Sequence, residues 1–479
     1  MLMTPRKVRH LLAGVVLAGV TTLPAQAQDK PAVKPQGTAK PKEAVAAQKD
    51  RYAAIRHVKL ADQGKYWVAF GGQMRERVEN WNDFNFGALP PGSTLKTDDA
   101  FALTRFFASA DMHAGSHLRL FALGKSSMST NRELVGGRRT SDVDEIDVQQ
   151  LYVEGRFAPN RPNANALVVQ GGRFEMNLGK QRFFSSLDWG NTRRAYEGAN
   201  AVYSTPTASI TAFWAQPVLI RFYKMDRRDS STRVFGLYGT KRHANFGADA
   251  YWLAQHRDSG AIVWNGTVGR EKRQTVGARL WGPTRPQAAI DLEGEVAYQF
   301  GTMGTQDISA MMFAGQAGYS WKQARRVPRV FVGLDYASGD DAAGGKVGTF
   351  SQLNPQTHPY LGLADVVGRQ NIVDISGGAS AILWRKLTGA TEYHMLSRAS
   401  DQDAMYNKPG AVARARNFGT SKSIGSDLDF TFRYPVDRYT SPMAGYSHFF
   451  AGQFIKDGGS ATGADKGTNL LYAMFQYTL

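Results

Sequence analysis

The chain comprises 479 residues with 42% hydrophobic side chains, no cysteine and a formal net charge of +17. The absence of cysteine excludes structural disulfides and thiolate chemistry. The excess of basic residues favours contact with polyanions or with anionic lipid head groups.

The amino terminus has the three parts of a secretory signal peptide. Three basic residues among positions 6–9 precede an uncharged apolar run over residues 11–20, and Ala25 and Ala27 give the small-x-small form of a cleavage site. A transmembrane helix needs about 20 apolar residues, so this run is too short to be one. We therefore predict a signal peptide over residues 1–27.

Residues 28–65 are rich in Lys, Pro and Ala. Such a composition predicts a flexible periplasmic lead-in. Within it, residues 50–63 have the composition of a short helix. The lead-in either plugs the domain that follows or, in the interpretation we favour, stays a disordered tail.

From residue 66 to residue 479 the sequence contains eighteen strand-like stretches, and the gaps between them alternate in length. The short gaps span roughly two to six residues and the long gaps roughly eight to thirty-two. Outer-membrane barrels have an even number of antiparallel strands, tight periplasmic turns and long outer loops. We therefore predict an all-β fold, an eighteen-stranded transmembrane antiparallel β-barrel over residues 66–479, in the outer membrane of a Gram-negative bacterium. A barrel of this width leaves an aqueous channel.

Several of these stretches alternate apolar and polar residues, as strands do when their two faces meet different surroundings. In residues 66–79, Phe70 lies on an apolar face and Arg75 on a charged one, and residues 290–299 and 427–434 repeat the pattern. In a soluble sandwich the apolar face would cover a core. In a membrane barrel it meets lipid, and the polar face lines the lumen. The signal peptide and the gap lengths favour the barrel.

The connections differ in composition as well as in length. Turn formers mark five short connections, at residues 114–115, 159–162, 205–207, 283–286 and 435–438. Longer connections rich in Gly, Asp, Asn, Arg and Ser are expected on the outer side, at residues 83–98, 126–144, 176–197, 217–231, 339–370 and 400–422. The chain ends in an apolar, aromatic-rich stretch, as the closing strand of a barrel does.

Arginine is enriched on the face predicted to line the lumen. A guanidinium group grips a carboxylate through two parallel hydrogen bonds, so a ladder of arginines suits a polymer with one carboxylate per sugar. Interspersed acids would keep any single site from holding the polymer too tightly. The candidates on this face are the arginines Arg75, Arg77, Arg105, Arg119, Arg156, Arg173 and Arg433 and the carboxylates Glu79, Asp111, Glu154, Glu175 and Asp429. For any single arginine, pairing with an acid of the wall is an equal alternative.

Two long connections carry further candidates. Residues 172–198 place Arg182, Arg193 and Arg194 beside three aromatic side chains, a combination that suits contact with sugars. The alternative is an outer loop packed on its own aromatics. Residues 336–371 form a connection so long that a role is expected for it, and we expect it to fold inward and narrow the pore.

Three segments of the sequence resemble the alginate export family of outer-membrane barrels. They read GRFEMNLGKQRFFSSLDWGNTRRAYEGA from residue 172, YASGDD with the later GTFSQLNP and YLGLADVVGRQNI from residue 336, and IGSDLDFTFRYP with AGYSHFFAGQFIKD from residue 424. The resemblance spans most of residues 172–457 and is specific in order as well as in wording. It implies an eighteen-stranded barrel that exports an anionic uronic-acid polymer through an arginine-lined constriction.

The resemblance also implies which positions line the pore, namely Arg173, Arg182, Arg194 and Arg369. Two departures concern the same segment: residues 174–175 are Phe-Glu where the family often has Gln, and residues 193–197 replace an Arg-Phe-Asp form. A porin for the uptake of small anions or oligosaccharides is the alternative function.

Enzyme motifs are absent from the sequence. It contains no His-x-x-Glu-His, no Gly-x-Ser-x-Gly and no phosphate-cradling loop, and no carboxylate pair is distinguished as the acid and base of a glycosidase. The acidic run 142–147 has oxygen ligands of the kind calcium takes, but it lacks an EF-hand glycine, and a solvated outer loop is favoured. We expect no enzymatic activity, no cofactor and no metal. The expected partners are an anionic polysaccharide or oligosaccharide, outer-membrane lipid and periplasmic export components, and no nucleic acid.

Overall fold

The computed structural model describes residues 50–158, 165–258, 263–264, 266–285, 287–342, 344–459 and 463–479. The predicted signal peptide, residues 28–49 of the lead-in and the predicted turn at residues 159–162 lie outside the described residues. In the described part of the chain, no helix combines the length and the apolar character needed to span a membrane.

The regular secondary structure of the described chain is almost entirely strand. The strands are β1 (Val58–Ala61), β2 (Tyr66–Asn82), β3 (Asp99–Ala114), β4 (Leu118–Ser129), β5 (Asp144–Phe157), β6 (Ala166–Phe174), β7 (Tyr196–Ser204), β8 (Ala208–Leu219), β9 (Arg227–Arg228), β10 (Thr232–Arg242), β11 (Gly247–Arg257), β12 (Val263–Trp264), β13 (Thr267–Val268), β14 (Glu271–Gly282), β15 (Ile290–Met303), β16 (Gln306–Ser320), β17 (Arg329–Ala337), β18 (Ile372–Trp384), β19 (Leu387–Ser397), β20 (Met405–Tyr406), β21 (Val412–Arg414), β22 (Ser423–Arg433), β23 (Met443–Ala451) and β24 (Thr468–Thr478). Within the described residues, one α-helix (Gln453–Gly459) and three 3-10 helices (Asp62–Gly64, Phe84–Gly87 and Arg416–Phe418) lie between them.

The eighteen longer strands form a closed antiparallel barrel; the short β1, β9, β12, β13, β20 and β21 are extra. Each barrel strand pairs with its neighbours in chain order, and the first, β2, pairs with the last, β24. This seam runs from Gln73↔Thr478 to Asn82↔Asn469. Closure satisfies the backbone of every barrel strand, which a membrane requires. The predicted eighteen-stranded barrel is confirmed.

The two faces of the strands differ as the alternation predicts. On β2, Phe70 and Met74 are 46% and 37% exposed, whereas Arg75 and Arg77 on the opposite face are 1% and 3% exposed. The apolar, exposed set meets lipid and the buried, polar set faces the interior of the barrel. The stretches 290–299 and 427–434 follow the same rule.

Short and long connections alternate along the chain as predicted, except at one position. Both described ends of the chain lie at the end of the barrel with the short turns, which is therefore the periplasmic end. On the outer side, β15 and β16 are joined by only two residues, Gly304 and Thr305. Gly304 has a φ of +57°, a conformation that lets a two-residue hairpin close. The prediction of a long connection at every outer position is therefore wrong here.

The lead-in next to the barrel is neither a helix nor a free tail. Strand β1 pairs with β2 at Val58↔Val68, on the edge that β24 leaves open because its pairing stops at Gln73. The hydroxyl of Tyr439 donates a 2.5 Å hydrogen bond to Asp50. The short helix predicted for residues 50–63 is wrong. An isolated helix of this length is only marginally stable, whereas pairing with the open strand edge gives the segment hydrogen bonds within a sheet.

Candidate functional site: the lumen and its inner loops

Two long connections fold into the barrel. They are residues 175–195, the first inner loop, and residues 338–371, the second inner loop. Their apolar side chains join one buried cluster with the wall, in which Phe184 of the first loop contacts Phe213 of β8 with ring centroids 5.4 Å apart. Phe350 of the second loop is fully buried in the same cluster. The inward folding expected for the second loop is confirmed, and the aromatic side chains of the first loop pack inside the barrel.

Arginines of β2 and β3 hold the first inner loop by its backbone. Arg75 and Arg105 are directly paired across the two strands. Arg75 donates 2.6 Å hydrogen bonds to the carbonyl oxygens of Asp188 and Gly190. The guanidinium group of Arg105 lies 2.8 Å from the Asp188 carboxylate. Two like charges thus stand side by side because the loop supplies the oxygens that compensate them.

Arg77 completes this arginine cluster. It donates a 2.6 Å hydrogen bond to the carbonyl oxygen of Trp189, and its guanidinium carbon lies 4.1 Å from the centre of the indole ring. Contact of a guanidinium group with an indole face is attractive. The three arginines therefore fix both the backbone and a side chain of residues 188–190.

Asp188 is the one carboxylate that the loop offers to the cluster. Its side chain is 50% exposed. Desolvation alone would raise its pKa, but Arg105, Arg193 and Arg75 together lower the pKa below its usual range. Asp188 is therefore ionised at neutral pH and compensates the charge of the cluster.

Carboxylates of the wall hold the second inner loop. Asp429 accepts a 2.9 Å hydrogen bond from the backbone N–H of Leu363, and Asp427 accepts one of 3.4 Å from Ala364. From the loop side, Arg369 forms two 3.0 Å hydrogen bonds with Asp335 of β17. The wall thus supplies carboxylates at both anchors, and the loop supplies backbone N–H groups at one and a guanidinium group at the other.

The inner loops also hold one another. Trp189 of the first loop stacks on His358 of the second, with ring centroids 3.7 Å apart. His358 Nδ1 lies 3.1 Å from Asp365, which pairs with Lys408 at 2.6 Å. Burial lowers the pKa of His358, although Asp365 acts in the opposite direction. His358 is therefore neutral at neutral pH while it stacks on Trp189.

The remaining arginine candidates mostly pair with acids or with loop backbone. Arg119 bonds to Asp111 at 2.7 Å and to Glu154 at 3.1 Å, and Arg173 bridges Asp147 and Glu197 at 2.9 and 2.8 Å. Arg182 reaches Glu293 and Glu295 at 2.6 and 2.7 Å.

The last candidates differ in what they contact. Arg193 pairs with Glu175, Arg194 with the carbonyl oxygen of Asn354 at 2.6 Å, and Arg433 with Ser441 at 2.5 Å. Arg156 is exposed and has no partner among the described residues.

Sequence reasoning named Asp429 but missed the other acids that anchor the loops. Glu293, Glu295 and Asp427 lie on the polar face that the alternation assigns to the lumen, so their position was visible in the sequence. Their partners were not, because Arg182 and Ala364 lie on loops whose path depends on contacts remote in sequence. No pattern in the sequence indicated Asp335 as an anchor.

The acidic run 142–147 is not a solvated loop. Asp144 and Asp147 are 2% and 3% exposed and lie with Asp226 so that their oxygens fall within 4.8 Å of one another. Lys125 ion-pairs with Asp144 and, at 3.0 Å, with Asp226. Its ammonium group supplies the positive charge that a bound cation would otherwise supply.

The comparison with known families agrees with this architecture. Residues 66–469 match the family model described as Alginate export. The chain belongs to the alginate export family. No curated protein sequence matches the chain.

Solved structures share the barrel of this alginate export family member. OprD from Pseudomonas aeruginosa aligns with 12% identity over 86% of this chain and 93% of that chain, with a TM-score of 0.55. OccK8 (OprE) from Pseudomonas aeruginosa (11% identity) and a BenF-like porin from Pseudomonas fluorescens Pf-5 (10%) each align over 86% of this chain and 98% of theirs, with TM-scores of 0.54. At these identities the similarity shows the fold alone, a porin-like barrel. Together with the family match, it indicates the Gram-negative outer membrane.

The periplasmic end of this alginate export barrel is strongly basic. Four successive periplasmic turns, at residues 243–246, 283–289, 321–328 and 385–386, contain no acidic residue, and neither do the last two residues of β10 before the first of them. We call their exposed cations the basic collar: Lys241, Arg242, Arg285, Lys322, Arg325, Arg326, Arg385 and Lys386. The outer loops, in contrast, mix acids and bases, as Asp457, Asp465 and Lys466 do before β24.

Proposed function

We propose that the protein is an outer-membrane channel, without enzymatic activity, that exports an anionic, alginate-like polysaccharide. The basic collar carries this proposal. A polymer made inside the cell enters the barrel at its periplasmic end, where the eight exposed cations of the collar lie and the segments that carry them contain no acid. A charge pattern of one sign attracts a polyanion and raises its capture rate. The attraction reaches about 8 Å at physiological ionic strength.

The arginine cluster supports the same substrate class. Arg105 pairs with the carboxylate of Asp188. Each sugar of a polyuronate carries the same group. Because Asp188 is half exposed, an incoming carboxylate can replace it without leaving the guanidinium group unpaired. Exchange of one carboxylate for another keeps each binding step weak enough for the polymer to move on.

Blocking of ion current by an oligouronate tests the proposal. With the protein in a planar bilayer, oligouronate added on the periplasmic side should block current at a lower concentration than the same oligomer added on the outer side. The variant K322Q/R325Q/R326Q should lose most of this asymmetry, because it removes three cations from one turn of the collar. High salt should have the same effect, because it screens exposed charges.

A matched control removes three exposed cations from the outer side, as R227Q/R228Q/R416Q. It should leave block from the periplasmic side unchanged. Equal block from the two sides in the native protein, or equal effects of the two triple variants, would contradict the proposal. Stronger block from the outer side would favour the alternative, an uptake porin for small anions or oligosaccharides.

A further inference from the structure

The lipid-facing surface carries a row of basic side chains at its extracellular end. Arg233 of β10, His256 of β11 and Lys272 of β14 are directly paired across the three strands. Their sequence neighbours Gln255 and Arg273 are 1% and 0% exposed and face the interior, so the row itself faces outward. Opposite Cβ atoms on adjacent strands lie about 4.5–5.5 Å apart. The three groups therefore form a compact set, which we call the basic row.

The basic row has unused hydrogen-bonding capacity. His256 Nε2 and Arg233 Nε are shielded from solvent and have no hydrogen-bond partner in the part of the chain that the structure describes. Lys272 is exposed and forms no ion pair within the described residues. Asp258 pairs with Arg233, and both side chains remain more than 40% exposed. The row thus keeps a net positive charge, and the exposed side chains of Arg233 and Lys272 can donate hydrogen bonds to an anion.

An apolar groove lies just below the basic row, towards the membrane centre. It has a volume of about 380 Å³ and is open on the lipid face of β14, β15 and β16. Val276, four residues along the same face of β14 from Lys272, begins it. Between row and groove, Trp252 Nε1 donates a 2.7 Å hydrogen bond to Gln274. The groove is lined by Val276, Ala278, Val296, Tyr298, Met311 and Phe313.

We propose that the basic row and the groove together bind one phosphate-bearing acyl lipid of the outer leaflet, with the phosphate on the row and an acyl chain in the groove. A cation on the lipid face is costly near the membrane centre and nearly neutral close to the interface. Beside an anionic head group it becomes favourable. The order of basic, aromatic and apolar side chains along these strands matches the order of phosphate, interface and acyl chain in such a lipid. This site is independent of the solute that the channel carries.

Lipid binding to the purified, delipidated barrel tests the proposal, with native mass spectrometry as the readout. Diphosphoryl lipid A should bind more tightly than its monophosphoryl form. The variant R233Q/H256Q/K272Q should weaken binding of the diphosphoryl form roughly thirtyfold, because it removes two full charges from the interface. A278F should weaken binding of both lipids, because it fills the groove and leaves the row intact.

The control K59Q/K65Q removes two exposed cations at the periplasmic end and should leave lipid binding unchanged. Heat-modifiable migration on gels confirms that each variant is folded. If the triple variant fails to fold, A278F alone decides whether the groove holds an acyl chain. Equal binding by the native protein and both site variants would overturn the proposal. Displacement of the lipid by inorganic pyrophosphate at equal concentration would overturn its lipid specificity.

Discussion

At the scale of single residues, the position of the first inner loop depends on like charges held together. Arg75 and Arg105 stand directly opposite each other, an arrangement that is repulsive on its own. Carbonyl oxygens of the loop and the carboxylate of Asp188 compensate them. The first inner loop therefore compensates the positive charges of the wall. A carboxylate that competes with Asp188 for Arg105 weakens the attachment of this loop to the wall.

Replacing Asp188 with Asn should loosen the first inner loop. The change removes the only ionised group that the loop offers to Arg105, and because Asp188 is half exposed we expect a loss of about 1 kcal/mol. Single-channel recording should show a higher conductance and a larger preference for anions over cations. Asp457→Asn, which removes the same charge from an exposed outer position, is the control. Identical recordings for the two variants would argue against the anchoring role.

Acidification should weaken the contact between the inner loops at His358. Burial lowers the pKa of His358 below its usual value near 6.5, so the unfolded or released loop binds a proton more readily than the stacked one. The stabilisation is present above the usual pKa and is lost as pH falls through the lowered one. Asp365 opposes this shift, whereas Lys408 and Arg77 favour it.

Proteolysis of the second inner loop measures this effect. In the native protein the rate of cleavage should rise as pH falls from 7.5 to 5, with a protease whose own rate is corrected at each pH. His358→Gln cannot titrate and should show a flat profile. A profile of the same shape in both proteins would assign the pH dependence to other groups.

At the scale of elements, the amino-terminal segment acts on the seam of the barrel. The pairing of β2 and β24 ends at Gln73, and β1 continues it at Val58↔Val68. Asp50 and Arg51 form ion pairs with Arg438 and Asp437 of the last periplasmic turn. The segment thereby covers a strand edge that would otherwise expose unpaired backbone groups.

Deleting residues 50–61 should lower the temperature at which the folded barrel is lost by several degrees, because the backbone bonds of β1 and its ion pairs disappear together. Heat-modifiable gel migration measures this temperature. Deleting residues 30–41, a segment of equal length in the lead-in, should leave it unchanged. If both deletions have the same effect, the contacts at the seam do not stabilise the barrel.

At the scale of the whole molecule, the sequence predicts what local patterns determine. The alternation of Phe70 with Arg75 is local, so the strand faces and the number of strands could be read from it. The anchors of the inner loops could not, because Arg369 meets Asp335 only after the chain has closed. The two-residue connection at residues 304–305 was not predicted, because every outer connection was assumed to be long. Gly304 is nevertheless a residue type that favours a tight hairpin.

The central claim is passage of a polyanion through this barrel, and flux from proteoliposomes tests it most directly. Vesicles containing the protein are loaded with an oligouronate and a neutral oligosaccharide of the same length, and the escape of each is followed at low salt. The account predicts that the oligouronate leaves faster than the neutral sugar, and that this difference shrinks in K322Q/R325Q/R326Q. Equal escape of both sugars, or faster escape of the neutral one, would contradict it.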